Sequence, residues 1–279
     1  MLKRIITSIC AVCVLVPVLC FSHTVLLPLG IAAVSVIAVY ELAKCMNVHK
    51  RSGMVLPAYA FAAFMPFLLR YLHNFVPYAM IAFIVMSLYL LLVFFLVIRS
   101  HGTLVFFDAF SFFAVLLYML AALNGILYIH DYYSNGRFLY LLIFLGAWIT
   151  DIFAYFTGVF FGKHKLIEDV SPKKTVEGSI GGVVFCTLFY VGYGAIIAHF
   201  FDVNVNLIFL GISGLILSVI SQIGDLIMSV IKRHYGVKDF GKIFPGHGGV
   251  LDRFDSILAV SLGLAAIVAF SKLLHVPLM

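Results

Sequence analysis

The chain has 279 residues, of which 64% are hydrophobic and only 11% charged, with a mean hydropathy of +1.15. Soluble domains devote roughly a quarter of their residues to charge, so water is excluded as the main solvent. The formal charge of +6 is spread over loops and the ends of apolar runs, and no nucleic-acid partner is expected.

Crossing a hydrocarbon core about 30 Å thick takes roughly 20 apolar residues as a helix. Nine such runs follow one another, near residues 5–22, 25–43, 54–72, 76–98, 104–129, 138–160, 179–200, 206–231 and 250–274. None alternates strictly between apolar and polar residues, which argues against a transmembrane barrel, so each run must satisfy its backbone as a helix. The expected fold is an all-α integral membrane protein, a polytopic bundle of about nine transmembrane helices.

Lys3 and Arg4 before the first run resemble the start of a secretory signal, and Cys20 suggests lipoprotein processing. Leu19 is too large for the small-residue position such cleavage needs, and the further spans favour a signal-anchor helix. The cysteines (Cys10, Cys13, Cys20, Cys45 and Cys186) lie in or beside apolar runs, where a thiol behaves as a small hydrophobe. Orientation follows from the 18 Lys and Arg residues. With the N-terminus inside, all fall on the cytoplasmic side except Arg70, Arg137 and Lys272, so a cytoplasmic N-terminus is expected. The long loops after the sixth and eighth spans then face the cytoplasm.

The chain changes character near residue 145. Residues 1–145 read as a transmembrane scaffold, whose only acidic residues, Glu41, Asp108 and Asp131, lie close to predicted membrane boundaries. Residues 146–279 read as a catalytic region, because carboxylates now enter or border the apolar spans at Asp151, Asp225, Asp252 and Asp255. A carboxylate near the bilayer centre costs about 2.5 to 3.5 kcal/mol even on a lenient insertion scale, so the group needs partners.

The strongest local signal is Phe244-Pro-Gly-His-Gly-Gly-Val-Leu-Asp-Arg-Phe-Asp255, a Pro/Gly-rich turn running into the ninth span. Gly248 and Gly249 let the backbone approach an anion, and the helix N-terminus that follows is a natural seat for a phosphate. Asp252 and Asp255, spaced i, i+3, bring hard oxygen donors onto one face and suit Mg²⁺. Upstream, Asp225, Ser229 and Lys232 or Arg233 fall along one stripe of the eighth span. A third carboxylate from a neighbouring helix would complete a cation site, while the two bases suit phosphate oxygens or ordinary positive-inside anchoring. The loop 162–178 is basic and hydroxyl-bearing, with Ser171, Lys173, Lys174 and Thr175, and fits a mobile clamp over a nucleotide triphosphate. It lacks the Walker pattern of a P-loop. His247 suits a general base, a phosphate-positioning role or a structural one.

These residues resemble the phosphatidate cytidylyltransferase, or CDP-diacylglycerol synthase, family. The resemblance rests on Ser229, Lys232-Arg233, Lys238-Asp239, His247-Gly248-Gly249 and Asp252-Arg253-Phe254-Asp255, with Asp151-Ile-Phe-Ala-Tyr-Phe-Thr-Gly158 and Ser171-Pro-Lys-Lys-Thr-Val-Glu-Gly178 upstream. It covers residues 145–260 closely and the N-terminal half only in span count and hydropathy. The resemblance implies transfer of the cytidylyl group of CTP to phosphatidate in the bilayer, releasing pyrophosphate. Under it, Asp225, Asp252 and Asp255 bind cations, including Mg²⁺ and a second such as K⁺. Lys173, Lys174, Lys232, Arg233 and Arg253 meet phosphates, while Ser171, Thr175 and Ser229 orient phosphates or the cation. It also implies a homodimer and a site on the cytoplasmic face of the cell inner membrane.

A CTP-dependent enzyme acting on another lipid phosphate or a lipid alcohol shares most of these features; a lipid kinase would release CDP instead of pyrophosphate. A cation or phosphate transporter is a remoter rival, since it predicts polar residues continuing across the membrane.

Overall fold

The structure is a computed structural model that describes residues 12–72, 78–244, 248–273, 275, 278 and 279. Helix α1 is described over 12–20. There follow α2 (Leu26–Cys45), α3 (Ser52–Leu72), α4 (Tyr78–Arg99), α5 (Phe106–Tyr132), the short α6 (Gly136–Leu139) and α7 (Leu141–Phe161). A hairpin of β1 (Lys165–Ile167) and β2 (Ser171–Thr175) leads to α8 (Val176–Phe201), α9 (Leu207–His234) and α10 (Leu251–Leu273). Among the described residues, 8 helical segments are long and apolar enough to cross a membrane. They coincide with the second to ninth predicted runs, with α6 and α7 together forming one span. Residues 1–11, which hold the opening part of the first run together with Lys3, Arg4 and Cys10, lie outside the described residues. The protein is thus an all-α, multi-pass membrane protein, with the small hairpin as an addition that hydropathy does not signal.

The chain forms two compact units. The first runs to Tyr128 and takes in Tyr235–Arg253, so the Gly-rich turn and the opening turn of α10 pack with N-terminal helices. In it α2 packs on α3 and α3 on α4. Its core includes Leu42, Met54, Leu69, Phe112 and Leu116, all fully enclosed. Tyr89 sits among them and donates its hydroxyl to the Met54 carbonyl at 2.7 Å, satisfying the one polar atom its ring brings in.

The second unit comprises Ile129–His234 and Phe254–Met279. Here α8 packs on both α7 and α9. Lipid tails are as apolar as leucine, so helices in a membrane gain most from close backbone approach through small residues. A Cβ on Gly182 would lie 2.9 Å from the Thr150 carbonyl, and one on Gly178 would lie 2.6 Å from that of Ala154. Tyr190 fills the space beside Gly146 and Gly214 and donates to the Leu142 carbonyl at 2.6 Å. Large apolar side chains such as Phe83, Ile98 and Ile208 remain over 70% exposed, the arrangement expected where the surrounding solvent is hydrocarbon.

Candidate functional site

The second unit gathers charge around the contact of α9 with α10. At Gly224 a Cβ would overlap Ala259 and lie 3.2 Å from the Asp255 carbonyl, so only glycine admits α10 this closely. The next residue is Asp225, and Lys174 from β2 forms an ion pair with it, both side chains being about a quarter exposed (25% and 24%). Charges on Asp225 and Asp151 repel a charge on Asp255, and that of Lys232 attracts it. The Ser256 hydroxyl donates to Asp151 Oδ2 at 3.0 Å, tying α10 to α7, and Asp255 Oδ1 accepts the Ser256 N–H at 2.9 Å. Three carboxylates and two lysines therefore converge from α7, β2, α9 and α10.

Consecutive helical residues point about 100° apart, which separates the Lys-Arg pair. Lys232 is 8% exposed and faces this cluster, whereas Arg233 is exposed. Ser229 is half-buried on the same helix, and Met228 takes the fully enclosed position beside it. Small polar residues do continue along α9, at Ser213, Ser218, Ser221 and Gln222, all buried. The Thr150 hydroxyl donates to that of Ser218 at 2.9 Å, so at this level the polar groups join helices to one another. The carboxylates stay at the end of α9 nearer the hairpin.

The hairpin turns the basic loop into a defined surface. Lys165 pairs with Thr175 and Ile167 with Ser171, in antiparallel register with an irregularity between them. Strand alternation sends neighbouring side chains to opposite faces, so Lys173 is exposed while Lys174 is half-buried. Glu177 steadies the entry to the hairpin by accepting the N–H groups of Lys163 at 3.0 Å and His164 at 3.2 Å. Thr175 caps α8: its Oγ1 accepts the Gly178 N–H at 3.1 Å. The same threonine fills the space left by Gly158 and Gly162 at the end of α7. Thr175→Val keeps the shape and removes the acceptor, so it should cost about 1 kcal/mol, read as a fall of a few degrees in the melting temperature of detergent-purified protein. An unchanged melting temperature would show that this cap is not stabilising.

In the first unit, the Phe244 N–H donates to the Gly248 carbonyl at 2.9 Å. Pro245, Gly246 and His247 lie outside the described residues, so no structural role follows for His247. Gly248 has φ +87°, the left-handed region that favours glycine, and a Cβ there would sit 2.9 Å from Asp252 Oδ2. Asp252 is 5% exposed. Its Oδ2 accepts the N–H groups of Phe240 at 2.8 Å and Gly249 at 2.9 Å, which staples the turn to the start of α10. Arg253, Lys238 and Asp239 are exposed.

The start of α10 is also held by a residue that belongs to none of the sequence motifs. Glu41 of α2 is 1% exposed, and its oxygens accept the N–H groups of Val250 at 3.0 Å and Leu251 at 2.8 Å. A lone carboxylate in an apolar run was the available signal. Its place near a predicted membrane boundary made solvation the simpler account.

For a metal, the donor chemistry is suitable: Asp151, Asp225 and Asp255 offer hard oxygens crowded by like charge, which a divalent cation relieves. Among the described residues, no three His, Cys, Asp or Glu side chains are gathered into a ready ligand set, and Asp225 is engaged by Lys174.

The sequence profile of the cytidylyltransferase family matches residues 2–271, nearly the whole chain. The chain belongs to the cytidylyltransferase family. It is similar to proteins named phosphatidate cytidylyltransferase from Staphylococcus saprophyticus (47% identity over 136 residues), Staphylococcus haemolyticus (46% over 136) and Staphylococcus aureus strain COL (48% over 137). Each alignment covers 49% of this chain and 51% of the relative, so the chain spans about half the length of the curated relatives it matches.

Proposed function

We propose that this protein transfers the cytidylyl group of CTP to phosphatidate, giving CDP-diacylglycerol and pyrophosphate for phospholipid synthesis. The observation that carries the reading is the convergence of Lys174, Asp225, Lys232, Asp255 and Asp151 at one end of the second unit in a chain of this family. A phosphate oxygen of the lipid attacks the α-phosphorus of CTP. The bond from that phosphorus to the β-bridging oxygen breaks in line, and pyrophosphate leaves with the electron pair. Lys174 and Lys232 neutralise charge on the phosphates, and Lys173 and Arg253, both exposed, meet the outer phosphates or the lipid headgroup. At the start of α10 the N–H groups of Gly249, Val250 and Leu251 already meet Asp252 and Glu41, so the phosphates rest on the basic side chains.

Asp225, Asp255 and Asp151 are the residues of the second unit that would hold Mg²⁺, and Asp252 is the candidate cation ligand of the first. When bound, the ion supplies charge stabilisation for the phosphates. A cation held by Asp225 would leave Lys174, its present partner, to the triphosphate. The excess of Lys and Arg in the loops carrying these residues supports a cytoplasmic face of the inner membrane, and a homodimer belongs to the same reading.

The deciding experiment is pyrophosphate release by detergent-purified protein given CTP, phosphatidate and Mg²⁺, with ATP, GTP and UTP substituted in turn. Release that requires both CTP and phosphatidate is expected. Exchanging K⁺ for Na⁺ in the same assay tests the second cation. Appearance of CDP without pyrophosphate would transfer the reading to a CTP-dependent lipid kinase, and no product with any lipid phosphate would refute transfer altogether.

A further inference from the structure

Glu41 belongs to none of the motifs, yet it is enclosed in an apolar helix, where an unsupported carboxylate is costly. Its support comes from the N–H groups of Val250 and Leu251, the cap and first residue of α10. A helix leaves those donors without internal partners. Val250 has no side-chain oxygen with which to cap its own helix, so α2 supplies the acceptor from 209 positions away. Two glycines close on the same group: a Cβ at Gly241 or at Gly249 would collide with Glu41 Oε1. Asp252 lies next to this arrangement, close enough for its charge to repel that of Glu41, and holds Gly249 and Phe240 through Oδ2. The turn thus hangs from two buried carboxylates, one of which comes from the half of the chain that reads as scaffold.

We propose that Glu41 is a positioning residue for the cytidylyl transfer: by clamping Val250 and Leu251 it fixes the first turn of α10 and so sets the orientation of Asp252 and Arg253. This rests on the transfer reading above. A helix cap with no further role would lower stability when removed, yet leave each folded molecule fully active. A positioning residue would change how the folded molecule turns over. Since Asp252 is among the proposed cation ligands, its misplacement would also weaken the response to Mg²⁺.

The test uses full-length protein in detergent as wild type, Glu41→Gln and Glu41→Ala. Glutamine keeps the shape and one acceptor oxygen but turns an NH₂ group toward the second N–H. Hydrogen exchange of the peptide covering 248–253 reads the clamp without reference to activity, and thermal unfolding reports the folded fraction. Exchange of the Val250 and Leu251 amides is expected to rise about tenfold in Glu41→Ala. Turnover per folded molecule is expected to fall about tenfold in Glu41→Gln and about a hundredfold in Glu41→Ala, with KM for CTP nearly unchanged and the half-saturating Mg²⁺ raised severalfold. Should Glu41→Ala not fold, Glu41→Gln decides alone. Unchanged exchange overturns the clamp, and faster exchange with wild-type turnover and Mg²⁺ response overturns the positioning role. If wild type itself releases no pyrophosphate, the transfer reading falls and takes the positioning role with it, and the exchange data separate that failure from a missing clamp.

Discussion

Replacing Asp225 by alanine is expected to lower pyrophosphate release by about a thousandfold, equivalent to about 4 kcal/mol of transition-state stabilisation. Two losses combine. The variant removes a hard oxygen donor from the cluster of Asp151, Asp225 and Asp255, and it frees Lys174 from the partner that holds it there. The pair is about a quarter exposed, so little of its energy supports the fold and the melting temperature should stay within a few degrees of wild type. Asp225→Asn preserves volume and hydrogen-bonding reach while removing the charge, and it should be nearly as inactive. Substantial activity in either variant at saturating Mg²⁺ would remove Asp225 from the cation site. Normal activity in Asn but not in Ala would move its role from charge to shape.

Asp252→Ala should fail in a different way, because this carboxylate holds structure as well as charge. Its Oδ2 accepts the N–H groups of Phe240 and Gly249, and each buried donor left without an acceptor costs about 1 to 3 kcal/mol. Loss of turnover should therefore come with a melting temperature lower by several degrees. Asp252→Asn retains a carbonyl oxygen for those two donors, so most of the stability should return. If the charge serves cation binding, turnover should remain about a hundredfold or more below wild type. A stable and active Asp252→Asn would make Asp252 a staple of the Gly-rich turn and leave the cation to the second unit.

These two aspartates illustrate how sequence and structure divide the information. Asp225 was legible because a carboxylate beside Gly224, within an apolar span and ahead of Lys232 and Arg233, has few structural explanations. The structure then adds its partner, Lys174, from a hairpin whose short strands carry no hydropathy signal. Asp252 was legible as a member of a motif, but its hold on Phe240 was not, since that contact depends on how the turn folds back over 12 positions. Thr175 shows the reverse correspondence. Its place in a basic, hydroxyl-bearing loop points toward phosphate, and the structure gives its Oγ1 to the N-terminus of α8.

Eight of the nine expected spans were legible in the sequence, because a run of about 20 apolar residues is a property of one stretch of chain matched to one slab of hydrocarbon, and no distant contact is needed to recognise it. Local spacing likewise places Asp252 and Asp255 at the start of one helix, but not the different partners that each of them meets. Which of two adjacent bases turns inward, Lys232 over Arg233 and Lys174 over Lys173, came from the packed chain, because it depends on what lies against each face. That packing alone assigned residues 235–253 to the N-terminal unit and joined Glu41 to Val250 and Leu251. A hydrogen bond between residues 209 positions apart leaves no periodicity in either segment; it exists because an uncapped helix end and a buried carboxylate each need the other.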